Sequence, residues 1–293
     1  MNQKLEMENM FKEMIISMRP KQWYKNFVLF AGITFSLNFF NIQMWITVLF
    51  SLIIFCIVSG SVYITNDIMD KEKDKSHPIK CNRPITSGKL NASCALIFMA
   101  LILSVALFGA YLINIQFLEI TLAYFILTVL YSTLLKYIAI VDVLTISSGF
   151  VLRAIAGCLA IKVSVSPWLI LCTFLAALFL ALAKRRHELI LLGNGANNHR
   201  KVLDNFSPET LDEMMPIVTS SLIISYSLYT FLINNNLMMM TIPIIIYAIL
   251  RYTFLIHSKN IGGEPEMLFK DKGMLTSIIL WVVSVAGLLY IKF

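Results

Sequence analysis

Three oxygen-bearing side chains, Asn66, Asp70 and Asp74, recur at a step of four residues where a long apolar run ends. If the helix predicted before them continues, all three project from one face, within about 80° of one another. Two carboxylates and an amide oxygen stacked in this way repel one another unless a cation lies among them. Hard oxygen ligands suit Mg2+, which binds proteins through few carboxylates together with substrate phosphates. The spacing therefore predicts a magnesium–phosphate site in which these residues are metal ligands and catalytic residues, with Mn2+ as a substitute metal.

Two cations, Lys80 and Arg83, follow this motif directly. An arginine can bind two phosphate oxygens through its planar fork, so both residues are predicted to bind the phosphates of a substrate. The alternative is an ordinary solvated loop, because lysines alternate with the acids at positions 71, 73 and 75. The regular four-residue step at the end of a membrane span favours the metal–phosphate site.

A second polar set, Asp142, Thr145, Gly149 and Arg153, forms one narrow stripe on a predicted membrane helix. Charges at membrane depth are costly, so such residues face the bundle interior or a wet cavity. Asp142 and Arg153 are roughly 16 Å apart along an ideal helix, which excludes a direct pair between them. We expect Arg153 to bind substrate in a polar cavity. For Asp142, a catalytic role and simple snorkelling towards the interface both stay open.

Five further cations lie near the ends of predicted spans and are also candidate substrate-binding residues. Lys184, Arg185 and Arg186 are adjacent, and they either anchor the topology or bind anions. Lys21 and Lys25 flank two aromatic residues, where they either hold a lipid phosphate at headgroup depth or simply contact anionic lipids.

Composition indicates the fold class. Of the 293 residues, 58% are hydrophobic and 14% are charged, with a mean hydropathy of +0.77. Soluble domains carry about a quarter charged residues, so a water-soluble fold is not expected. The sequence predicts an all-α, polytopic membrane bundle of about nine transmembrane helices, because its apolar runs are too long for barrel strands. The bundle forms a single integral membrane domain over 1–293, with spans at approximately 24–40, 44–65, 92–113, 117–136, 140–161, 166–184, 214–233, 237–257 and 273–291.

The basic residues set the predicted orientation in the inner (plasma) membrane. With the amino terminus inside and the carboxyl terminus outside, only Lys162 and Lys292 lie on the far side. The active site then faces the cytoplasm, with loops at about 66–91, 184–213 and 258–272. Residues 1–20 place their apolar side chains near one helical face, which predicts an interfacial amphipathic helix. The net charge of +7 reflects this topology and does not argue for nucleic acid.

In these features the chain resembles the UbiA superfamily of intramembrane prenyltransferases, whose Asn-Asp-x-x-Asp-x-x-x-Asp motif occupies 66–74 here. Within the superfamily it is most similar to the decaprenyl-phosphate phosphoribosyltransferase branch. The aromatic prenyltransferases usually carry a second Asp-rich motif after the sixth span, and 184–213 lacks one. The matching stretches cover nearly the whole chain, at 19–26, 66–84, 148–157, 184–189, 207–212 and 262–266.

The resemblance implies a UbiA-like fold and a magnesium-dependent glycosyltransferase that moves 5-phosphoribosyl from phosphoribosyl diphosphate (PRPP) to a polyprenyl phosphate. These substrates carry three phosphate-bearing groups, which accounts for the many candidate cations. One alternative is a UbiA-type prenyltransferase that attaches a polyprenyl chain to an aromatic quinone precursor. A membrane transporter is an alternative of another class, but it would need charges through the depth of several spans, and here the in-span charge is essentially Arg153. The sequence does not indicate an oligomeric state.

Overall fold

The computed structural model describes residues 2–75, 79–192, 206–233, 235–259 and 271–290. Across these ranges the chain forms α-helices and 3-10 helices and no strand, which confirms the all-α prediction. The α-helices are α1 (Asn2–Ser17), α2 (Ala31–Phe35), α3 (Ile42–Met69), α4 (Lys71–Asp74), α5 (Ala92–Ile113), α6 (Ile115–Thr133), α7 (Val141–Ala160), α8 (Pro167–Leu192), α9 (Pro208–Leu232), α10 (Ile242–Lys259) and α11 (Lys272–Tyr290). The 3-10 helices are Pro20–Phe30, Lys80–Asn82, Leu135–Tyr137 and Asn236–Thr241.

Asparagine side chains begin several of these helices at the polar breaks of the sequence. The Asn41 carboxamide oxygen accepts hydrogen bonds from two N–H groups of the first turn of α3, at 3.1 and 3.2 Å. Asn114 caps α6 in the same way at 2.8 Å, and Asn91 and Asn235 cap the helices that follow them. Each cap satisfies donors that an isolated helix end leaves without a partner. The gaps between the predicted spans at 41–43, 114–116 and 234–236 therefore coincide with helix starts.

Eight helical segments among the described residues are long and apolar enough to cross a membrane, close to the nine predicted. The chain is therefore an integral membrane protein. The first predicted span, 24–40, has a different structure, because its residues form the end of the 3-10 helix Pro20–Phe30 and the short helix α2. Two predicted loops are shorter than 66–91 and 184–213, since α3 continues to Met69 and α8 to Leu192. Most of the loop predicted at 258–272 lies outside the described residues.

One compact unit comprises Met1–Ile33, Phe39–Leu134 and Leu152–Ser164. Its core contains the rings of Phe55 and Tyr124, whose centroids are 5.3 Å apart, between α3 and α6. Buried aromatic rings contribute large apolar areas to such a core.

The 3-10 helix Pro20–Phe30 is long for its type, since runs beyond about four residues are uncommon. It lies directly against α7 at Gly157, where an added Cβ would approach the Leu29 carbonyl oxygen to 2.0 Å. Only glycine fits this approach. Gly157 thus lets the unusual helix pack against the half of α7 that carries Arg153.

Helix α1 and the residue that follows it pack within the same unit through two methionines, Met14 in the helix and Met18 just after its end. Met14 and Met18 are buried in a cluster with Ile64 and Leu90, whereas Phe11 is 60% exposed. Within the stretch 1–20 the helix covers Asn2–Ser17, and part of its apolar face contacts protein. Its position in a membrane interface stays a prediction.

The second compact unit comprises Thr34–Asn38, Leu135–Val151 and Val165–Phe293. Helices α8 and α9 pack against each other in it, and Leu211 and Phe179 are buried in its core. A hydrogen-bond network adds to this packing, because the Tyr226 hydroxyl lies 2.6 Å from Thr241 Oγ1 and accepts from Trp281 Nε1 at 2.8 Å.

Candidate active site

The predicted metal motif lies where α3 ends and α4 begins, in the first compact unit. The Asp70 N–H donates to the Asn66 carbonyl at 2.9 Å, and the Asp74 N–H donates to the Asp70 carbonyl at 2.8 Å. These are helical i to i+4 bonds, so the helix continues through the motif with only a local adjustment at Asp70 (φ −90°, ψ 5°). The backbone step on which the metal prediction depends is therefore present.

Two arginines and two acids of this unit form a chain of alternating charge. Asp67, which is 1% exposed, accepts hydrogen bonds from Arg19 and, at 3.0 Å, from Nη1 of Arg83. The same Nη1 also binds Oδ2 of Asp74, which is 4% exposed. We call this chain, Arg19–Asp67–Arg83–Asp74, the shared-arginine cluster. The sequence predicts phosphate binding for Arg83, and in this structure its guanidinium lies on two carboxylates.

Two members of the cluster, Arg19 and Asp67, are not among the site residues that the sequence predicts. Asp67 is the second residue of the Asn-Asp motif, and Arg19 begins a stretch that also carries the family resemblance. Their contact joins positions 48 residues apart. A single sequence contains no signal for such a pairing, although an acid inside the motif needs a cation once it is buried.

The oxygen atoms at this helix end fit a hard divalent cation. The Asn66 side chain is half-buried and makes no hydrogen bond to another described residue. Arg83 contacts only Oδ2 of Asp74, so Oδ1 makes no hydrogen bond within the described ranges. No group of three or more His, Cys, Asp or Glu side chains in those ranges is placed to hold a metal. The predicted donor set is two carboxylates and one amide, and this chemistry matches how Mg2+ binds together with substrate phosphates.

A neighbouring acid in α4 does not take part in this cluster. Glu72 is exposed and accepts from Lys75 Nζ at 2.8 Å with both oxygens. This hydrogen bond and the lysine charge lower the pKa of Glu72 below its ordinary value. Glu72 therefore offers a matched surface carboxylate within the same short helix.

Arg153 lies in a buried polar pocket of the same unit. Its Nε donates to Asn26 Oδ1 at 2.8 Å and its Nη2 to the Tyr124 hydroxyl at 2.6 Å. Ser59 Oγ lies 3.3 Å from both of these partners. Arg153 is 7% exposed, and its guanidinium carbon lies 4.6 Å from the centre of the Tyr124 ring. Polar side chains from α3, α6 and the first 3-10 helix thus surround it, as the prediction of a polar environment requires.

In the second unit, two predicted site residues bind each other. Arg185 donates to Asp142 through Nε at 2.6 Å and through Nη2 at 3.3 Å. Its Nη1 donates to Glu188 at 2.6 Å. Asp142 has no exposed surface and Arg185 is 1% exposed, so Asp142 does not reach solvent as a snorkelling side chain would. The exclusion of an Asp142–Arg153 pair agrees with this geometry, and the catalytic role of Asp142 stays a prediction.

Arg186 forms a similar two-point contact on α9. Its Nε and Nη2 donate to the two oxygens of Asp212 at 2.6 and 3.0 Å, and His257 Nε2 lies 3.1 Å from Asp212 Oδ1. Arg251 binds Asp271 with the same fork, at 3.1 and 2.8 Å.

The remaining predicted cations are lysines. Lys21 is exposed, and Lys25, Lys80 and Lys184 are half-buried. The structure thus brings Arg83 to Asp74 and Arg185 to Asp142. The substrate-binding roles of all these cations stay predictions.

The sequence matches the UbiA prenyltransferase family over residues 27–268. It is 31% identical to the decaprenyl-phosphate phosphoribosyltransferase of Corynebacterium glutamicum, over 97% of this chain and 89% of that protein. It is 28% identical to the enzyme of the same name from Mycolicibacterium smegmatis, over 97% of this chain and 94% of that protein. Its fold is similar to that of a UbiA homolog from Archaeoglobus fulgidus bound to GPP and Mg2+, with a TM-score of 0.72 and 18% identity over 95% of this chain and 100% of that one. The family match covers most of the chain and the fold agrees with it, so the protein belongs to the UbiA prenyltransferase family.

Proposed function

We propose that this membrane enzyme transfers 5-phosphoribosyl from PRPP to a polyprenyl phosphate and releases diphosphate. The observation that carries the proposal is that the two relatives named for this class of transfer each align with 97% of the chain. The shared-arginine cluster supports it, because carboxylates and arginines placed at one helix end suit a substrate that carries both a metal ion and phosphates.

Asn66, Asp70 and Asp74 would hold Mg2+ against the diphosphate of PRPP. When bound, the metal supplies positive charge that stabilises the departing diphosphate. Arg83 and Lys80 bind the same diphosphate, and Arg83 turns from Asp74 towards the phosphate oxygens. Preorganised charges of this kind act on the negative charge that develops as the bond breaks.

In the transfer step, the bond between ribose C1 and the diphosphate oxygen breaks and both electrons leave with the diphosphate. An oxygen of the lipid phosphate then forms the new bond to C1, which has oxocarbenium character at that stage. The lipid phosphate is already an anion, so the step needs no strong general base. The chain's task is to align the two substrates and to hold their phosphates.

Other cations hold the two phosphomonoesters, that of ribose and that of the lipid. We assign Arg153, Lys21, Lys25 and Lys184 to this role. Arg185 and Arg186 are held by carboxylates, and we assign them, with Asp142, to the fold rather than to phosphate contact. The strong bias of basic residues supports a multi-pass protein in the inner membrane with its amino terminus and site on the cytoplasmic side.

Purified protein, PRPP labelled in the ribose and a polyprenyl phosphate test this function directly. We expect Mg2+-dependent transfer of label into the organic phase, with no transfer by Asp70→Asn. A parallel reaction supplies a prenyl diphosphate and 4-hydroxybenzoate. Prenylation of the aromatic acid, with no label transferred from PRPP, would replace the proposal by the aromatic prenyltransferase alternative.

A further inference from the structure

Asp67 is the acid of the metal motif to which the proposed chemistry assigns no role. It is buried to 99% of its surface, and it contacts Arg19 and Arg83. Both guanidinium groups bind Oδ1 of this buried carboxylate. Asp67 therefore differs from Asn66, whose half-buried side chain binds none of the described residues.

One nitrogen connects Asp67 to the proposed metal ligands. Nη1 of Arg83 lies 3.0 Å from Oδ1 of Asp67 and also binds Oδ2 of Asp74. The two acids thus share a single donor. Because Arg83 also binds Asp67, its charge and hydrogen-bonding capacity are divided between two acids. Arg83 therefore neutralises Asp74 less completely than it would if Asp74 were the acid that it bound alone.

The other end of the cluster is held by an unusual backbone. Arg19 has φ 52° and ψ 64°, in the left-handed backbone region that residues other than glycine seldom occupy. Such conformations persist where surrounding contacts fix them. Here the Arg19 guanidinium binds Asp67, and its carbon lies 4.8 Å from the centre of the Tyr63 ring. Asp67 thus connects the turn between α1 and the first 3-10 helix to the end of α3.

We infer that Asp67 is a positioning residue that acts through Arg83. It holds Arg83 beside Asp74 without letting the arginine saturate that acid, so that Asp74 binds the metal and Arg83 binds the diphosphate. This role rests on the proposed function for its substrate, but not for its metal. Asp67 itself binds neither.

A double-mutant cycle tests the inference with two readouts. The first is the stabilisation of purified protein by MgCl2 alone, measured as the Mg2+ concentration that gives half the maximal shift in melting temperature. The second is the PRPP KM compared with kcat. The variants are Asp67→Asn, Arg83→Gln and the double mutant. Glu72→Gln is the matched control, because it removes an exposed carboxylate from the same helix end without touching the cluster.

We expect Asp67→Asn to raise the half-saturating Mg2+ concentration and the PRPP KM about tenfold, because Arg83 then binds Asp74 alone. The kcat at saturation should stay within about threefold of wild type. Arg83→Gln should have the opposite effect on Mg2+ and lower the half-saturating concentration. In the double mutant, the half-saturating Mg2+ concentration should equal that of Arg83→Gln, to within the small change that the control Glu72→Gln causes.

Three results would overturn the inference. Equal weakening of Mg2+ binding by Asp67→Asn with and without Arg83 would make Asp67 a metal ligand. A lower melting temperature with unchanged Mg2+ binding and unchanged KM would make Asp67 purely structural. Wild-type protein that MgCl2 does not stabilise would leave no metal for the cluster to serve.

A second variant covers the case in which Asp67→Asn does not fold. Asp67→Glu keeps the charge and displaces it by one methylene, so it should still weaken Mg2+ binding and raise the PRPP KM. Wild-type Mg2+ binding and KM in that variant would also overturn the inference. If the Mg2+ readout follows the expected pattern but the wild-type protein does not use PRPP, the proposed function is refuted and the role of Asp67 at the metal site is not.

Discussion

The contacts between arginines and carboxylates differ between the two compact units. In the second unit, an arginine fork closes on both oxygens of an acid through two nitrogens, as Arg185 does on Asp142 and Arg186 on Asp212. A third nitrogen of Arg185 binds Glu188. In the first unit, Arg83 touches two acids through one nitrogen, and Asp67 is shared by two arginines. A closed fork satisfies both oxygens of its acid, whereas a shared nitrogen leaves an oxygen such as Asp74 Oδ1 available for another cation.

We propose that this difference separates charge that stabilises the fold from charge that binds a ligand. Both ends are rich in Arg and Asp, so composition and burial do not distinguish them. The pattern of contacts does. We expect mutation of a closed pair mainly to lower stability. We expect mutation of the shared-arginine cluster mainly to change metal and substrate binding.

The largest expected effect concerns the proposed metal ligands next to the shared-arginine cluster. Asp70→Ala and Asp74→Ala should each reduce PRPP turnover by about a thousandfold or more, because each removes a proposed ligand of the metal that stabilises the leaving group. Label transfer in detergent measures the rate, and melting temperature measures folding. Glu72→Gln is the control and should retain wild-type turnover. Magnesium-dependent turnover near the wild-type rate in both alanine variants would remove the metal-site assignment.

The sequence is sufficient to predict this helix end but not its partners. The four-residue step from Asn66 to Asp74 follows from helical periodicity, and the capping asparagines mark where helices begin, so both are local properties. The contact between Arg19 and Asp67 and the closure of Arg185 on Asp142 are long-range. They depend on how helices pack, which a single sequence does not encode in a readable pattern. The sequence therefore makes Arg185 a candidate anion-binding residue but does not show its contact with Asp142.

The next effect concerns the most buried closed pair. Arg185→Leu leaves Asp142 without its two-point partner at a position with no exposed surface, and loss of one member of such a pair costs about 3–5 kcal/mol. We expect a large fall in melting temperature and in the yield of folded protein. The double variant Asp142→Asn/Arg185→Gln removes both charges and should recover part of the loss. A well-folded Arg185→Leu protein with a raised PRPP KM would instead place Arg185 in the substrate site.

Arg153 tests the comparison from a buried pocket in which two of its hydrogen-bond partners are neutral. Its contacts include the Asn26 oxygen and the Tyr124 hydroxyl, and neither neutralises a buried cation. Arg153→Lys keeps the charge but loses the planar fork, so we expect the PRPP KM to rise or kcat to fall by about tenfold, with little change in melting temperature. A Lys variant with unchanged kinetics, together with an Arg153→Leu variant that does not fold, would assign Arg153 to structure.

The smallest effect is expected at the pair of Arg186 and Asp212, because this closed fork is partly solvated. The side chains are 11% and 32% exposed, and His257 at 45% exposure completes the contact. Water screens such a pair, so Arg186→Lys should lower the free energy of unfolding by about 1 kcal/mol or less. Asp212→Asn should lower it by a similar amount, and the double variant should lose less than the sum, since both single changes remove the same contact.

Melting curves of the three variants measure this coupling, and PRPP kinetics on the same samples measure binding. If the fork serves the fold, KM stays within about twofold of wild type. A KM that rises in Arg186→Lys but not in Asp212→Asn would show that the arginine meets phosphate despite its closed pair, and the distinction between closed and shared arginines would then fail at this site.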